Sequence, residues 1–224
     1  ANLLTQVALR KLRARSADAP RGDKDNGGNI MLCCNNECSD VTIKKYFLKG
    51  VDNSKIKMII ISECCPENMS EYFDGKGLPK FIENTNVLFS SCGKKFKTYD
   101  DYLKNGIYLT TALKCAKKEY SVSAKTIENC SCILEKEIGL FDNVKVIMLM
   151  GDFAIKAMNY IWKRQHGEKI IPSGSTYKIR GNKYIGNGIR FFPSYTQTGD
   201  SFGIEKSKVK MMIEDVQEAL EILK

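Results

Sequence analysis

The chain is organised around residues 106–152, which read GIYLTTALKCAKKEYSVSAKTIENCSCILEKEIGLFDNVKVIMLMGD. A β-branched run ends at Lys114 and Cys115, a polar loop follows, a helical pattern carries Cys130, and a second apolar run ends at Met150. A strand, a crossover helix and a second strand make the βαβ unit of a parallel sheet. This stretch therefore predicts an α/β fold.

Two more apolar runs complete a predicted sheet of four parallel strands. Residues 57–61 are apolar from Met58 on, which is typical of a strand covered on both faces, and they lead to Glu63. Residues 188–192 form the last run. We expect a three-layer α/β/α domain, with helices on both sides of strands at 57–63, 107–115, 144–150 and 189–194.

Two local features are predicted beside these strands. Asp152 is expected to cap the helix that begins after Gly151, because a side-chain oxygen there can accept from the free amides of the first turn. Residues 175–185 predict a β-hairpin that turns at Gly181 and Asn182, just before the last strand.

The cysteines gather in two regions of the chain. Cys33, Cys34 and Cys38 fall within six residues, whereas Cys115 ends a predicted strand and Cys130 lies on the crossover helix. Thiolates from two such regions bind an iron–sulfur cluster or a tetrahedral zinc ion, and ordinary unligated thiols are the alternative. An odd total of nine cysteines favours thiols and a metal site over a disulfide framework.

Length and composition limit the class of protein. A chain of 224 residues is predicted to contain one folded domain. Its net charge of +9 is compatible with a nucleic-acid partner but does not identify one. No apolar run has the length of a membrane span, and nothing at the start has the order of a signal peptide. We expect a cytoplasmic monomer that does not contact a membrane.

Residues 1–30 differ in composition from residues 31–224, which we expect to form the single folded domain. Four of the seven arginines lie in this leader, and no acidic residue precedes Asp18. A basic stretch without acids is typical of an organelle transit peptide. We instead interpret residues 1–30 as a disordered or artificial leader, with Met31 as the original start.

The order of these motifs resembles the uracil-DNA glycosylase superfamily, and in particular its iron–sulfur-containing family four. That family has a T-N-V-V-K-C strand followed by E-x-x-x-C-x-x-x-L on a helix. Here the strand reads TTALKC up to Cys115, and the helix reads IENCSCIL up to Leu134. The resemblance runs from about Cys34 to the C-terminus. It implies the strand order 2-1-3-4 and hydrolysis of the bond between a damaged base and deoxyribose in DNA repair.

The resemblance also assigns roles to residues. The family's first motif, G-E-A-P-G, resembles SECCP here, and Glu63 takes the place of its glutamate. The resemblance implies that the Glu63 carboxylate positions the attacking water. It also implies that backbone amides of residues 63–66 bind the leaving base. The superfamily's H-P-S loop, which enters the minor groove, resembles FPSYTQTG. The implied base-binding residues are Cys64, Phe73, Thr111 and Phe192. The implied DNA-binding residues are Pro193, Ser194, Tyr195 and Gln197.

The same resemblance implies a [4Fe–4S] cluster as cofactor. Its ligands would be Cys34, Cys38, Cys115 and Cys130. The family spaces its first pair C-x-x-C, whereas Cys34 and Cys38 are one residue further apart, so Cys33 is a rival for Cys34.

Two positions depart from the family pattern. Thr111 stands where the family has a base-reading asparagine, and Phe192 stands where it has histidine. These departures predict a poor uracil-DNA glycosylase, which is either slow or tuned to another base. The competing hypothesis is a relative that binds DNA or a nucleotide without removing a base. A third is a zinc-stabilised protein-interaction domain.

Overall fold

The structure, a computed structural model, describes residues 30–32, 38–42, 46–48, 51–199 and 202–224. Its strands are β1 (Ile30–Leu32), β2 (Val41–Thr42), β3 (Tyr46–Leu48), β4 (Met58–Cys64), β5 (Ile107–Leu113), β6 (Ala116–Lys117), β7 (Val146–Met150), β8 (Tyr184–Gly186) and β9 (Ile189–Ser194). Its helices are α1 (Lys80–Ser91), α2 (Tyr99–Lys104), α3 (Ala124–Ile138), α4 (Asp152–His166), α5 (Thr176–Ile179) and α6 (Lys206–Ile222). Residues 1–29 of the predicted leader lie outside the described residues, as do Cys33 and Cys34.

The central sheet has the strand order β5-β4-β7-β9-β8. β5, β4, β7 and β9 run parallel, and β8 pairs antiparallel with β9 at the edge. All residues of β5 and β7 are buried, as are the first five of β4, because helices cover both faces of the sheet. The predicted α/β class is confirmed. The sheet has five strands where four were predicted.

The fifth strand arises from a hairpin at Asn187 and Gly188. Both residues have positive φ, 52° and 77°, which a two-residue turn of the hairpin type requires and which asparagine and glycine tolerate best. The hairpin predicted at Gly181 and Asn182 is wrong in its place. Those residues follow the short helix α5, and the strands that pair are β8 and β9.

Hydrogen bonds show which helices cover which face of the sheet. Thr110 and Pro193 lie in one row across the four parallel strands, so Ser194 points to the opposite face from Thr110. Thr110 Oγ1 donates to Glu137 of α3 (2.8 Å), and Ser194 Oγ donates to Asp215 of α6 (2.5 Å). α4 packs against α3, and α1 packs against α6. The sheet therefore lies between two layers of helices.

A buried ion pair joins β5 to α3. Lys114 Nζ is paired with the Glu137 carboxylate, and both side chains are nearly inaccessible to solvent. Lys114 Nζ also donates to Thr110 Oγ1 (2.7 Å) and to the carbonyl oxygen of Thr111 (2.6 Å). Tyr108 donates its hydroxyl to Glu137 Oε1 (2.7 Å). The pair fixes the chain immediately before Cys115 to the helix that carries Cys130.

None of the helices in the described part of the chain combines the length and the apolar character needed to cross a bilayer.

Candidate functional site

A cavity of about 560 Å³ opens at the carboxyl end of β4. Its volume is within the range of small-ligand pockets, and the carboxyl edge of a parallel sheet is where such folds bind ligands. It is lined by Glu63, Cys64, Cys65, Pro66, Glu67, Glu71, Lys80, Phe81, Ala116, Lys117, Thr198 and Gly199. A smaller cavity of about 240 Å³ lies beside Ile107, the first residue of β5, away from the predicted site residues.

Glu63 lies between the cavity and the start of α4. Its Oε1 accepts from the backbone amide of Phe153 (3.4 Å). Gly151, just before the helix, has φ +103°, and a Cβ there would lie 2.6 Å from Glu63 Oε1. Glu63 therefore supplies the side-chain acceptor at this helix start. The prediction that Asp152 caps the helix is wrong, because the exposed carboxylate of Asp152 is paired with Lys156 (3.2 Å) instead.

The electrostatic setting of Glu63 is unusual for a carboxyl group. Burial raises the pKa of Glu63 above its ordinary value, while the amide of Phe153 and the charge of Lys117 oppose that shift without cancelling it. A carboxyl group with a raised pKa in a cleft is the usual setting of a group that exchanges protons during catalysis. The helix cap accounts for its position, and the cavity gives it access to a ligand.

Cys64 and Cys65 line the cavity as neutral thiols. Burial raises the pKa of Cys64, and it raises the pKa of Cys65 to about 12. Both groups are therefore protonated at neutral pH, and neither has the character of a thiolate nucleophile. Of the predicted base-binding residues, Cys64 is the one that lines the cavity.

Thr111 is fully buried and does not line the cavity. Its hydroxyl donates to the carbonyl oxygen of Leu113 (2.9 Å) and lies 3.3 Å from Cys65 Sγ. Cys65 lines the cavity, so Thr111 lies behind a residue of the cavity wall and does not itself reach the cavity.

Phe73 is buried behind another aromatic ring, that of Phe81. The two rings are 5.4 Å apart between centroids in an edge-to-face arrangement, and Phe81 is the one that lines the cavity. Phe81 belongs to α1, a helix that was not predicted from the sequence. The helical spacing of the buried residues Phe81, Thr85 and Leu88 is the signal that identifies this helix.

The residues predicted to bind DNA begin inside β9 rather than in a loop. Phe192, Pro193 and Ser194 are all buried in the strand. The guanidinium carbon of Arg190 lies 4.1 Å from the centroid of the Phe192 ring, which is covered on that side. Ser194 is engaged with Asp215 of α6. In this structure none of the three side chains lines the cavity.

The loop after β9 does reach the cavity, through the two residues that follow Gln197. Gln197 itself is fully buried, and its Nε2 donates to Ser62 Oγ (2.9 Å) while its Oε1 has no hydrogen-bond partner among the described residues. Tyr195 is half-buried, with Lys208 Nζ 5.5 Å from its ring centroid. Of the four predicted DNA-binding side chains, Tyr195 is thus the one with substantial exposure.

The segment 38–42 fastens the end of β5 to the start of α3. Its strand β2 pairs antiparallel with β6, which directly follows Cys115. Asp40 accepts from the backbone amide of Ser123 and from Thr126 Oγ1, both at 2.6 Å. Asn129 Nδ2 donates to Cys38 Sγ (3.8 Å), beside Cys130 on α3.

Three of the four predicted cluster ligands therefore belong to segments that meet. Cys115 and Cys130 are buried and Cys38 is half-buried, whereas Cys34 lies outside the described residues. Within the described ranges, no three or more cysteine, histidine or acidic side chains are grouped closely enough to hold a metal ion. The thiol chemistry suits a cluster, but the described residues do not complete its ligand set.

No protein-family model matches the chain. Over 100 residues the chain is 26% identical to a type-5 uracil-DNA glycosylase of Thermus thermophilus, and the match covers 45% of this chain and 46% of that protein. The chain thus spans about half the length of this relative. A type-5 relative does not confirm the narrower resemblance to family four. The similarity supports a relationship between this chain and the uracil-DNA glycosylase superfamily.

Proposed function

We propose that the chain is a DNA glycosylase that hydrolyses the N-glycosidic bond of uracil or another deaminated base in DNA repair. The observation that carries the proposal is the Glu63 carboxyl group in the wall of a ligand-sized cavity at the carboxyl end of a central parallel strand. The similarity to a uracil-DNA glycosylase supports the same reaction. The partner is then DNA that contains a damaged base.

Glu63 would act on water and on the sugar. In the hydrolysis, the bond between deoxyribose and the base breaks with its electron pair going to the base, and water oxygen bonds to the sugar carbon. The sugar passes through a cation-like state, which a nearby carboxylate stabilises while it accepts a proton from the attacking water. The ionised form of Glu63 is the one this role requires.

The leaving base needs donors, since negative charge develops on it. The backbone amides of residues 63–66 were predicted for this task, but the amide of Cys65 donates to the carbonyl oxygen of Leu113 (3.1 Å). Lys80 and Lys117 are cationic side chains in the cavity wall. We assign the stabilisation of the leaving base to Lys80, because Lys117 is engaged with the carbonyl oxygen of Tyr120.

A base-release assay tests this proposal directly. The substrates are oligonucleotides with uracil, hypoxanthine, xanthine or a mismatched thymine, each as a single strand and as a duplex. We expect an abasic site from at least one of them, and its absence in the Glu63→Gln variant. Release that persists in the variant at the same rate would point to a contaminating glycosylase or to another carboxylate.

A second candidate function is DNA or nucleotide binding without base removal. The observation that favours it is the burial of Thr111 and Phe192, which leaves the two motif positions that depart from the family away from the cavity. Binding to lesion DNA with no release from any of the substrates above is the result that selects this function.

We further propose a [4Fe–4S] cluster on Cys34, Cys38, Cys115 and Cys130, as in family four. Support comes from the pairing of β2 with β6 and from the contact between Cys38 and Asn129, which bring the two cysteine regions together. The cluster would supply a structural cross-link between segment 38–42, the end of β5 and α3. Zinc on the same thiols is the alternative, and metal analysis separates the two.

Protein purified without oxygen is expected to be brown and to contain about four irons per chain, since four thiolates hold one such cluster. The Cys130→Ser variant should lose the iron. Cys132 is the matched control, because it lies on the same helix but is exposed, and Cys132→Ser should keep the iron. Stoichiometric zinc without iron, or equal iron in both variants, contradicts the proposed ligand set.

A further inference from the structure

Tyr120 lies in the loop after β6 and is highly exposed. The residue is 92% exposed, so its aromatic ring is open to solvent. Lys117 Nζ lies 5.2 Å from the ring centroid and donates to the carbonyl oxygen of Tyr120 (3.2 Å). The loop after β6 therefore presents an open aromatic face with a cation beside it.

A second pair of the same kind adjoins the first. Lys208 on α6 lies near the half-buried ring of Tyr195, and both Tyr120 and Tyr195 are close enough to interact electrostatically with its ammonium group. Lys208 also donates to Glu205 Oε1 (2.6 Å), so part of its charge is balanced. We call Lys117, Tyr120, Tyr195 and Lys208 together the tyrosine–lysine face.

This face continues from the rim of the cavity, because Lys117 belongs to both. A polymer with one unit inside the cavity would place its neighbouring units on the face. Lysines neutralise the phosphates of a nucleic-acid backbone, and an exposed ring offers a platform on which a base can stack. In a duplex the flat surfaces of the bases are already stacked on one another, so the platform suits a single strand.

We propose that the tyrosine–lysine face binds single-stranded DNA next to the nucleotide whose base enters the cavity, with an adjacent base stacked on Tyr120. The inference rests on the proposed function in taking DNA as the partner and in placing one of its bases in the cavity. Lys117 contacts the phosphate nearest the cavity, and Lys208 contacts one further along the strand.

The test measures binding without base removal. A fluorescently labelled oligothymidine of about 12 nucleotides, within the usual site size of single-strand binders, is titrated with the full chain and followed by anisotropy. Tyr120→Ala should weaken binding by about 5- to 150-fold, the range for loss of one stacked base, whereas Tyr120→Phe should stay within about twofold. Lys117→Gln should lower the slope of log affinity against log salt by about 0.7.

The matched control is Tyr177→Ala, because Tyr177 is also a highly exposed tyrosine and does not line the cavity. Its affinity should equal that of the unchanged protein. Equal affinities of Tyr120→Ala and Tyr177→Ala for the oligothymidine overturn the inference, as does a loss of affinity that appears only with a duplex of the same length. If binding depends on Tyr120 but no base is released, this inference stands and the glycosylase proposal fails. If a base is released normally but binding does not depend on Tyr120, the glycosylase proposal stands and this inference fails.

Discussion

Lys114→Met is expected to lower the free energy of unfolding by about 3–5 kcal/mol. The substitution keeps the length of the side chain but leaves the Glu137 carboxylate buried without the cation that balances it. Hydrogen bonds from Tyr108 and Thr110 remain, but neutral donors compensate a buried charge only in part. Urea denaturation followed by circular dichroism measures the change as a lower midpoint.

Two controls separate charge from packing in this experiment. The double variant Lys114→Met with Glu137→Leu removes both charges and should recover part of the lost stability, because a buried pair contributes little net over apolar side chains. Recovery is partial because the hydroxyls of Tyr108 and Thr110 lose Glu137 as an acceptor. Lys125→Met breaks the exposed pair with Glu128 and should cost less than about 1 kcal/mol. If Lys114→Met costs no more than Lys125→Met, the buried pair does not hold β5 to α3.

Glu63→Gln is expected to lower the rate of base release by about 10²-fold or more, the scale for one acid–base group. Glutamine has nearly the same shape, and its amide oxygen can still accept from the backbone amide of Phe153, so the helix cap is retained. The change thus removes the charge and the proton acceptor alone. Single-turnover rates on the best substrate, with DNA affinity measured in parallel, report the effect on chemistry.

The pH profile gives a second readout of Glu63. Because burial raises its pKa, and the reaction needs the ionised carboxylate, the rate should fall as pH drops through that raised pKa, at a higher pH than an ordinary carboxyl group would give. Asp152→Asn is the matched control, since Asp152 is an exposed carboxylate at the same helix start. An unchanged rate in Glu63→Gln would leave Glu63 as a helix cap and nothing more.

The parallel strands were predictable because they are buried on both faces and therefore appear in the sequence as long apolar runs. Such runs can be recognised without knowing which distant residues the strands contact. The same reasoning put Glu63 at the carboxyl end of β4, where the structure has it. The hairpin was misplaced although Asn187 and Gly188 carry the stronger turn signal, since two glycine–asparagine pairs lie close together in the sequence. Local composition therefore predicted which strands and helices exist better than it predicted the residues at which they begin and end.

The walls of the cavity were not predictable in the same way. Phe81 and Lys117 come from segments far from Glu63 in sequence, and only tertiary packing brings them to the carboxyl end of β4. Motif position also does not fix the direction of a side chain: Thr111 and Phe192 occupy motif positions in the sequence and face the interior in the structure. The roles assigned to those two residues by resemblance stay predictions.

The glycine at position 151 limits which mutations this site can accept. The Glu63 carboxyl group occupies the space that a Cβ at residue 151 would need. Positions 63 and 151 therefore constrain each other, although 87 residues of sequence separate them. A mutation that adds a side chain at 151 must push the Glu63 carboxyl group out of its place and must also accept a backbone with φ +103°, so the first cost of such a change falls on the carboxylate at the cavity.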